Sequence, residues 1–180
     1  LYKQGMITLH NSRRINSIYF DNFTYDMFNQ SEEGVVPRKK IRVRWYENKN
    51  IFTLEKKISS IEGRFKISNE SSDYVTESDV LKATIFDKDY GALYPTLMVS
   101  YDRAYYTLKN MRVTFDSDIN YKNLKLSPMM NYLDPERVVE IKTSMECGDD
   151  FIEKLIPYST MRFSKYSRGL LISQRQLGEF

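Results

Sequence analysis

The sequence predicts an α+β domain: an antiparallel sheet of about eight strands, closed or nearly closed into a barrel, with helices inserted between strands. Three observations carry the prediction. Short segments place charged or polar residues at every second position with apolar residues between: Arg42 and Arg44, Glu55 and Lys57, Arg64 and Lys66, then Arg112, Thr114 and Asp116, then Glu140 and Lys142. Residues two apart in a strand point to the same face, so these segments read as strands with charge on one face and hydrophobes on the other. Aromatic residues make up 14% of the chain, mostly Tyr and Phe, which suits a β-rich fold. Stretches of turn and helix-capping composition separate the strand segments, and a sheet with a polar inner face puts its apolar outer face under those helices.

The elements follow in order. Ile15–Phe20 reads as a first strand, and Tyr25–Gln30 as one helical turn before a loop at Ser31–Pro37. Lys40–Tyr46 and Ile51–Ile58 form a hairpin across Glu47-Asn48-Lys49-Asn50, and Gly63–Ser68 is the next strand. Thr76-Glu77-Ser78-Asp79 supplies capping chemistry for a helix running to about Asp87, and Tyr94-Pro95 ends that insert. Thr96–Tyr106 and Asn110–Ser117 pair as a long hairpin, Tyr121–Leu126 is a further strand, and Arg137–Ser144 another. Gly148-Asp149-Asp150 precedes a short helix stopped by Pro157. Arg162–Tyr166 is a connection, and Gly169–Leu177 a terminal helix.

At 180 residues and 21.4 kDa the chain has the size of one domain, residues 1–180. The net charge is only +3, so cationic function requires concentration of charge rather than a basic surface. The acids gather instead in Ser71–Asp79 and Glu146–Glu153. A single cysteine, Cys147, excludes an internal disulfide framework and a cysteine-rich zinc site, so a reduced, cytoplasmic setting is expected. No apolar run reaches the roughly 18 residues of a spanning helix, and no secretory leader is recognisable. The chain begins at Leu1 without Met, which suggests an excised or trimmed domain.

Like charges opposite one another on paired strands repel, so stacked cationic strands need a compensating polyanion. Arg42 and Arg44, roughly 7 Å apart along one strand, can clamp neighbouring phosphates with their guanidinium forks. Alone, that segment reads better as a solvated strand face; its repetition in other strands reverses the reading. Glu55 and Lys57 taken singly are best explained as a cross-strand ion pair, and Arg103 in SYDRAYY fits a structural turn equally well. Glu140 beside Lys142 is either part of a salt-bridge lattice or a ligand for a divalent ion, since Mg²⁺ and Mn²⁺ prefer oxygen donors. His10 lies outside every motif, and neither a nucleophile–base pair nor a P-loop is present.

In order, the segments INSIYFDN, IRVRWY, E-x-K at Glu55–Lys57, GRF, YDR, RVTFD, VVEIK and FSKY with Gly169 resemble the catalytic VTC domain of the vacuolar transporter chaperone complex, a triphosphate tunnel metalloenzyme of the CYTH superfamily. The resemblance runs from about Ile15 to Gly169. It implies an eight-stranded antiparallel tunnel barrel that transfers the γ-phosphate of ATP to a growing polyphosphate chain with Mn²⁺ or Mg²⁺. On this resemblance Arg42, Arg44, Lys57, Arg103 and Arg112 grip the reacting phosphates. Arg64, Lys142, Arg162 and Lys165 add phosphate contacts, and Glu140 holds the metal. Two departures stand out. Glu62 occupies a position where a basic residue is expected, and Leu1–Arg14 is too short for the additional strand that family members carry ahead of INSIYFDN, which leaves a barrel with open edges.

The implied ligands are ATP and polyphosphate, with partner proteins at the cytoplasmic face of a membrane. A tripolyphosphatase of the same fold and a non-catalytic module binding polyphosphate or inositol polyphosphate are the rivals. Nucleic-acid binding ranks last, because Trp45, Phe65 and Phe115 fall on the face opposite the cations, where they cannot stack bases beside them.

Overall fold

The computed structural model describes residues 2–47, 49–109, 111–143 and 149–175. A 3-10 turn at Tyr2–Gln4 leads into β1 (Ile7–Asp21), followed by α1 (Asp26–Glu33), β2 (Arg38–Tyr46), β3 (Lys49–Ser60) and β4 (Gly63–Ser71). Then come α2 (Glu77–Lys82), β5 (Ile85–Asp87), β6 (Gly91–Leu108), β7 (Met111–Asn123), β8 (Asn131–Leu133) and β9 (Val138–Lys142), with α3 (Asp149–Leu155) and α4 (Lys165–Arg175) last. All pairings are antiparallel, in the order β4-β3-β2-β1-β6-β7-β8, with β5 on β6 and β9 on β7. The fold class is the one expected. Among the described residues there are nine strands instead of eight, because β5 and β8 add two three-residue strands while two expected strands merge into β7, and the sheet is not closed: β4 ends one side and β8 and β9 the other.

The two faces separate cleanly. On the outer face Ile18, Ile41, Val43, Trp45 and Phe52 pack with Val80 of α2, and Met111 and Val113 pack with Leu155 and Ile156 at the end of α3. On the inner face Ile15, Tyr19, Leu97, Val99, Tyr101 and Tyr121 pack against Tyr166 and Leu170 of α4. Burying these side chains supplies the main drive to fold, about 1.5–3 kcal/mol for each large apolar group.

Several boundaries differ from the sequence reading, each for a local reason. β1 begins at Ile7, and its first half follows β6 through two register irregularities, Thr8/His10 and His10/Arg13. The helix expected to reach Asp87 stops at Lys82. The Thr76–Asp79 capping box forms as read, but Ala83 turns extended, and Ile85, Phe86 and Asp87 are buried, exposed and buried in turn, the period of a strand. β6 runs through Pro95, which sits at the register shift between Tyr19 and Phe20, where a strand tolerates proline. The strands expected at 110–117 and 121–126 are one strand, β7 (Met111–Asn123), irregular at Asp118 with φ 50°; residue 110 lies outside the described residues. α3 begins at Asp149; Cys147 and Gly148 lie outside the described residues.

The largest difference is α4, which starts at Lys165 rather than Gly169. Ser164 caps it, its hydroxyl accepting the Ser167 amide at 3.3 Å. Gly169 lies inside the helix because nothing larger fits: an added Cβ would sit 2.5 Å from Tyr121 Cδ1 and 2.7 Å from Leu97 Cδ2. The glycine is the contact point that lets the helix lie directly on the inner face.

Candidate functional site

Strand register gathers the charged residues. Arg42 and Arg44 stand opposite Tyr19 and Ser17 of β1, and Arg42 opposite Glu55 of β3. Lys57 faces Lys40 on one side and Lys66 of β4 on the other. Arg103 of β6 stands opposite Asp116 of β7, and β7 aligns Thr114 with Glu140 and Arg112 with Lys142 of β9. The side chains confirm a shared face: Arg42 donates to Tyr19 and Arg44 to Tyr101, while Lys165 from α4 reaches Asp116.

The sheet curls around this face. Glu140 on β9 lies within electrostatic range of Lys57 on β3, although β2, β1, β6 and β7 separate them in the sheet. Lys57 is exposed to water, and the protein around it still removes part of its solvation. Burial, reinforced by Arg42 and Arg44, lowers its pKa to about 8. Among the described residues it makes no ion pair. Lys40 is also pushed down by burial, and its ammonium donates to Ser164 Oγ at 2.7 Å.

Two carboxylates organise the cations. Glu55, 3% exposed, takes Arg42 Nε at 2.6 Å and Lys66 at 2.6 Å, with Arg44 at 3.8 Å. Burial opposes its charge, but Arg42 and Arg44 outweigh burial and hold its pKa down to about 2. Asp116, 1% exposed, accepts both arms of the Arg103 fork at 2.6 and 2.8 Å and Lys165 at 2.5 Å. Those partners overcome burial and keep Asp116 ionised. Glu140 is held less firmly, by Arg103 at 3.3 Å and Lys142 at 3.4 Å, and its side chain is 42% exposed.

The remaining predicted residues scatter more. Arg112 sits at the far end of the face with its guanidinium 5.4 Å from the Tyr105 ring centroid. Arg64 is exposed on edge strand β4, on the parity of Lys66. Arg162 is turned onto α1, donating to the carbonyl and hydroxyl of Ser31 instead of reaching across the face. Glu62 lies exposed in the β3–β4 turn, and His10 stands exposed on β1 against Tyr105.

The sequence reading missed the tyrosines. Trp45 and Phe115 do belong to the outer side, but Tyr19, Tyr101 and Tyr105 share the cationic face. They do not form a base-stacking platform. All three are buried, Tyr19 is stacked on Tyr166 at 5.0 Å, and the Tyr19 and Tyr101 hydroxyls accept from Arg42 and Arg44. Burial alone would raise the Tyr19 pKa; Arg42, Lys57, Arg44 and Lys165 reverse that and lower it to about 8. Strand parity with Ser17 was the available signal for Tyr19.

A divalent ion fits this face only in company. No three acidic, histidine or cysteine side chains gather among the described residues. Asp116 is saturated by cations, so Glu140 is the carboxylate left to share. One carboxylate completed by phosphate oxygens is an ordinary way for a protein to hold Mg²⁺.

Curled sheet, cationic lining and inward helix define a phosphate-related tunnel domain. The chain belongs to the VTC domain family, whose family model matches residues 3–173. A candidate adenylate cyclase from Bacillus halodurans has a similar structure, with a TM-score of 0.56 and 15% identity over 87% of this chain and 82% of that one. A protein from Pyrococcus horikoshii OT3 gives a TM-score of 0.53 and 17% identity over 96% and 86%. At such identities the likeness shows the fold alone. None of the curated proteins matches the chain in sequence. No helix among the described residues is long and apolar enough to cross a membrane.

Proposed function

We propose that residues 1–180 are one VTC unit acting as a polyphosphate polymerase, transferring the γ-phosphate of ATP to the end of a phosphate chain. The observation that carries the reading is the curled cationic face, on which Lys57 makes no ion pair among the described residues and lies within electrostatic range of Glu140 from the far side of the sheet. Phosphoryl transfer asks little covalent work of a protein; positioning and charge stabilisation dominate. Arg42 and Arg44 are held by Glu55, Tyr19, Ser17 and Tyr101, so their forks are ordered before a phosphate arrives. Arg103 is fixed by Asp116 in the same way. Lys57, Arg112, Arg64 and Lys142 supply charge that is less committed within the protein. Lys165 balances Asp116 and Arg162 donates to Ser31 of α1, so phosphate has to draw each of them from those partners.

Glu140, with phosphate oxygens, would hold Mn²⁺ or Mg²⁺, whose role when bound is to neutralise charge on the reacting phosphates. ATP and polyphosphate are the ligands, and partner proteins at a membrane face fit a domain that carries only one chemical step.

The test is incubation of the full-length protein with ATP and Mn²⁺, followed by separation of long-chain phosphate from orthophosphate. Chain growth supports the polymerase reading. Orthophosphate alone makes the protein a tripolyphosphatase, and tight tripolyphosphate binding without turnover makes it a binding module.

A further inference from the structure

Thr114 carries a buried polar atom with nothing to do. The residue is 4% exposed, and its hydroxyl has no hydrogen-bond partner among the described residues. Buried hydroxyls are nearly always paired, and leaving one unpaired is costly, so an exception in a functional cleft calls for an explanation. The hydroxyl belongs to the inner face of β7, between Arg112 and Asp116, and its cross-strand neighbours are Tyr105 on β6 and Glu140 on β9. Directly paired residues bring their Cβ atoms to about 4.5–5.5 Å, within reach of a Thr hydroxyl and a Glu carboxylate.

Glu140 is itself under-restrained. Its carboxylate has one long contact from Arg103, whose fork is committed to Asp116, and one from Lys142, which is 64% exposed. Both cations lie on the face that we assign to phosphate, and incoming phosphate oxygens compete for them. Glu140 then loses its two partners together, just when its orientation matters.

We propose that Thr114 is a positioning residue: its hydroxyl donates to the Glu140 carboxylate when phosphates draw Arg103 and Lys142 away. One carboxylate oxygen is thereby fixed and the other left to the metal–phosphate complex. The inference rests on the phosphate reading above. It explains why an unsatisfied hydroxyl is kept at a site where valine has the same shape.

The experiment is calorimetric titration of the full-length protein with tripolyphosphate, with and without Mn²⁺, comparing the parent with Thr114→Val and Thr114→Ser. Removing the partner of a metal-binding side chain usually weakens metal affinity about 10- to 100-fold. Thr114→Val should therefore lose most of the affinity that Mn²⁺ adds, keep the metal-free affinity, and melt no lower than the parent because it removes an unpaired buried hydroxyl. Thr114→Ser should restore the Mn²⁺ effect. An unchanged Mn²⁺ effect in Thr114→Val, or an equal loss with and without metal, overturns the proposal and leaves the phosphate reading standing. A parent that shows no Mn²⁺ effect also overturns it, and a parent that binds no tripolyphosphate removes both.

Discussion

The inner face has two halves that use the same residue types differently. In the β2–β3–β4 half, Lys40, Arg42, Arg44, Lys57, Arg64 and Lys66 share a face with one buried carboxylate, Glu55, and with the exposed Glu70 of β4. In the β6–β7–β9 half, Arg103, Lys165, Arg112 and Lys142 are met by Asp116 and Glu140. In the first half Lys57 makes no ion pair among the described residues, and burial, reinforced by Arg42 and Arg44, lowers its pKa. The second is nearer balance, and it anchors α4 through Lys165. A cation already paired inside the protein shapes a site; one that remains unpaired draws a polyanion into it. Which half an Arg or Lys occupies therefore says more about its role than its identity does.

The most damaging way to probe the first half is to remove its buried carboxylate, Glu55. Glu55→Gln leaves Arg42, 7% exposed, without its buried counter-charge. Breaking a buried pair from one side costs about 3–5 kcal/mol, so chemical unfolding should show a loss of that order. The pH profile carries the same information. The Glu55 pKa is depressed, so its contribution is complete above the ordinary 4.5 and disappears as pH falls through about 2. Stability of the parent should drop across that acid window, and Glu55→Gln should flatten this part of the drop.

The second half is best probed through its helix. Gly169→Ala forces a methyl group against Tyr121 and Leu97 at distances no packed carbon tolerates. Overpacking of this kind costs about 1–3 kcal/mol, read as a lower unfolding midpoint. The helix must lift, and Lys165 should separate from Asp116 with it.

A smaller effect tests whether the first half really holds surplus charge. The pKa values of Lys57 and Tyr19 are both lowered to about 8. A bound polyanion favours the protonated form of each, so binding takes up protons and tripolyphosphate affinity should fall as pH rises through about 8. Linkage limits the slope to about tenfold per pH unit for each proton taken up. Lys57→Gln should flatten it, as measured by titration calorimetry in buffers of different ionisation enthalpy.

Much of this organisation was legible in the sequence because strand parity is a strict period. Arg42, Arg44, Lys57, Arg103, Arg112 and Glu140 reach one face for no deeper reason than alternation and register. What parity could not supply was the pairing among them. That Asp116 saturates Arg103, or that Arg162 turns to Ser31, depends on contacts between residues far apart in the chain. α4 was misplaced because glycine ordinarily breaks helices, and its tight seat against Tyr121 becomes visible only once helix and sheet are packed. The inner tyrosines were missed for a related reason: an aromatic in a strand reads as core, and Tyr19 is core and lining at once.

The central claim is that Lys57, without an ion-pair partner among the described residues, draws phosphate to the first half, while Lys165, paired with Asp116, holds the architecture of the second. Parallel titration of Lys57→Ala and Lys165→Ala with tripolyphosphate, with a melting curve for each, tests it most directly. The account predicts that Lys57→Ala loses at least about tenfold in affinity, about 1.4 kcal/mol, with little change in melting. Lys165→Ala should lose less affinity and melt lower, because it strips a partner from the fully buried carboxylate of Asp116. A Lys165→Ala variant that loses the affinity while Lys57→Ala keeps it would contradict the account.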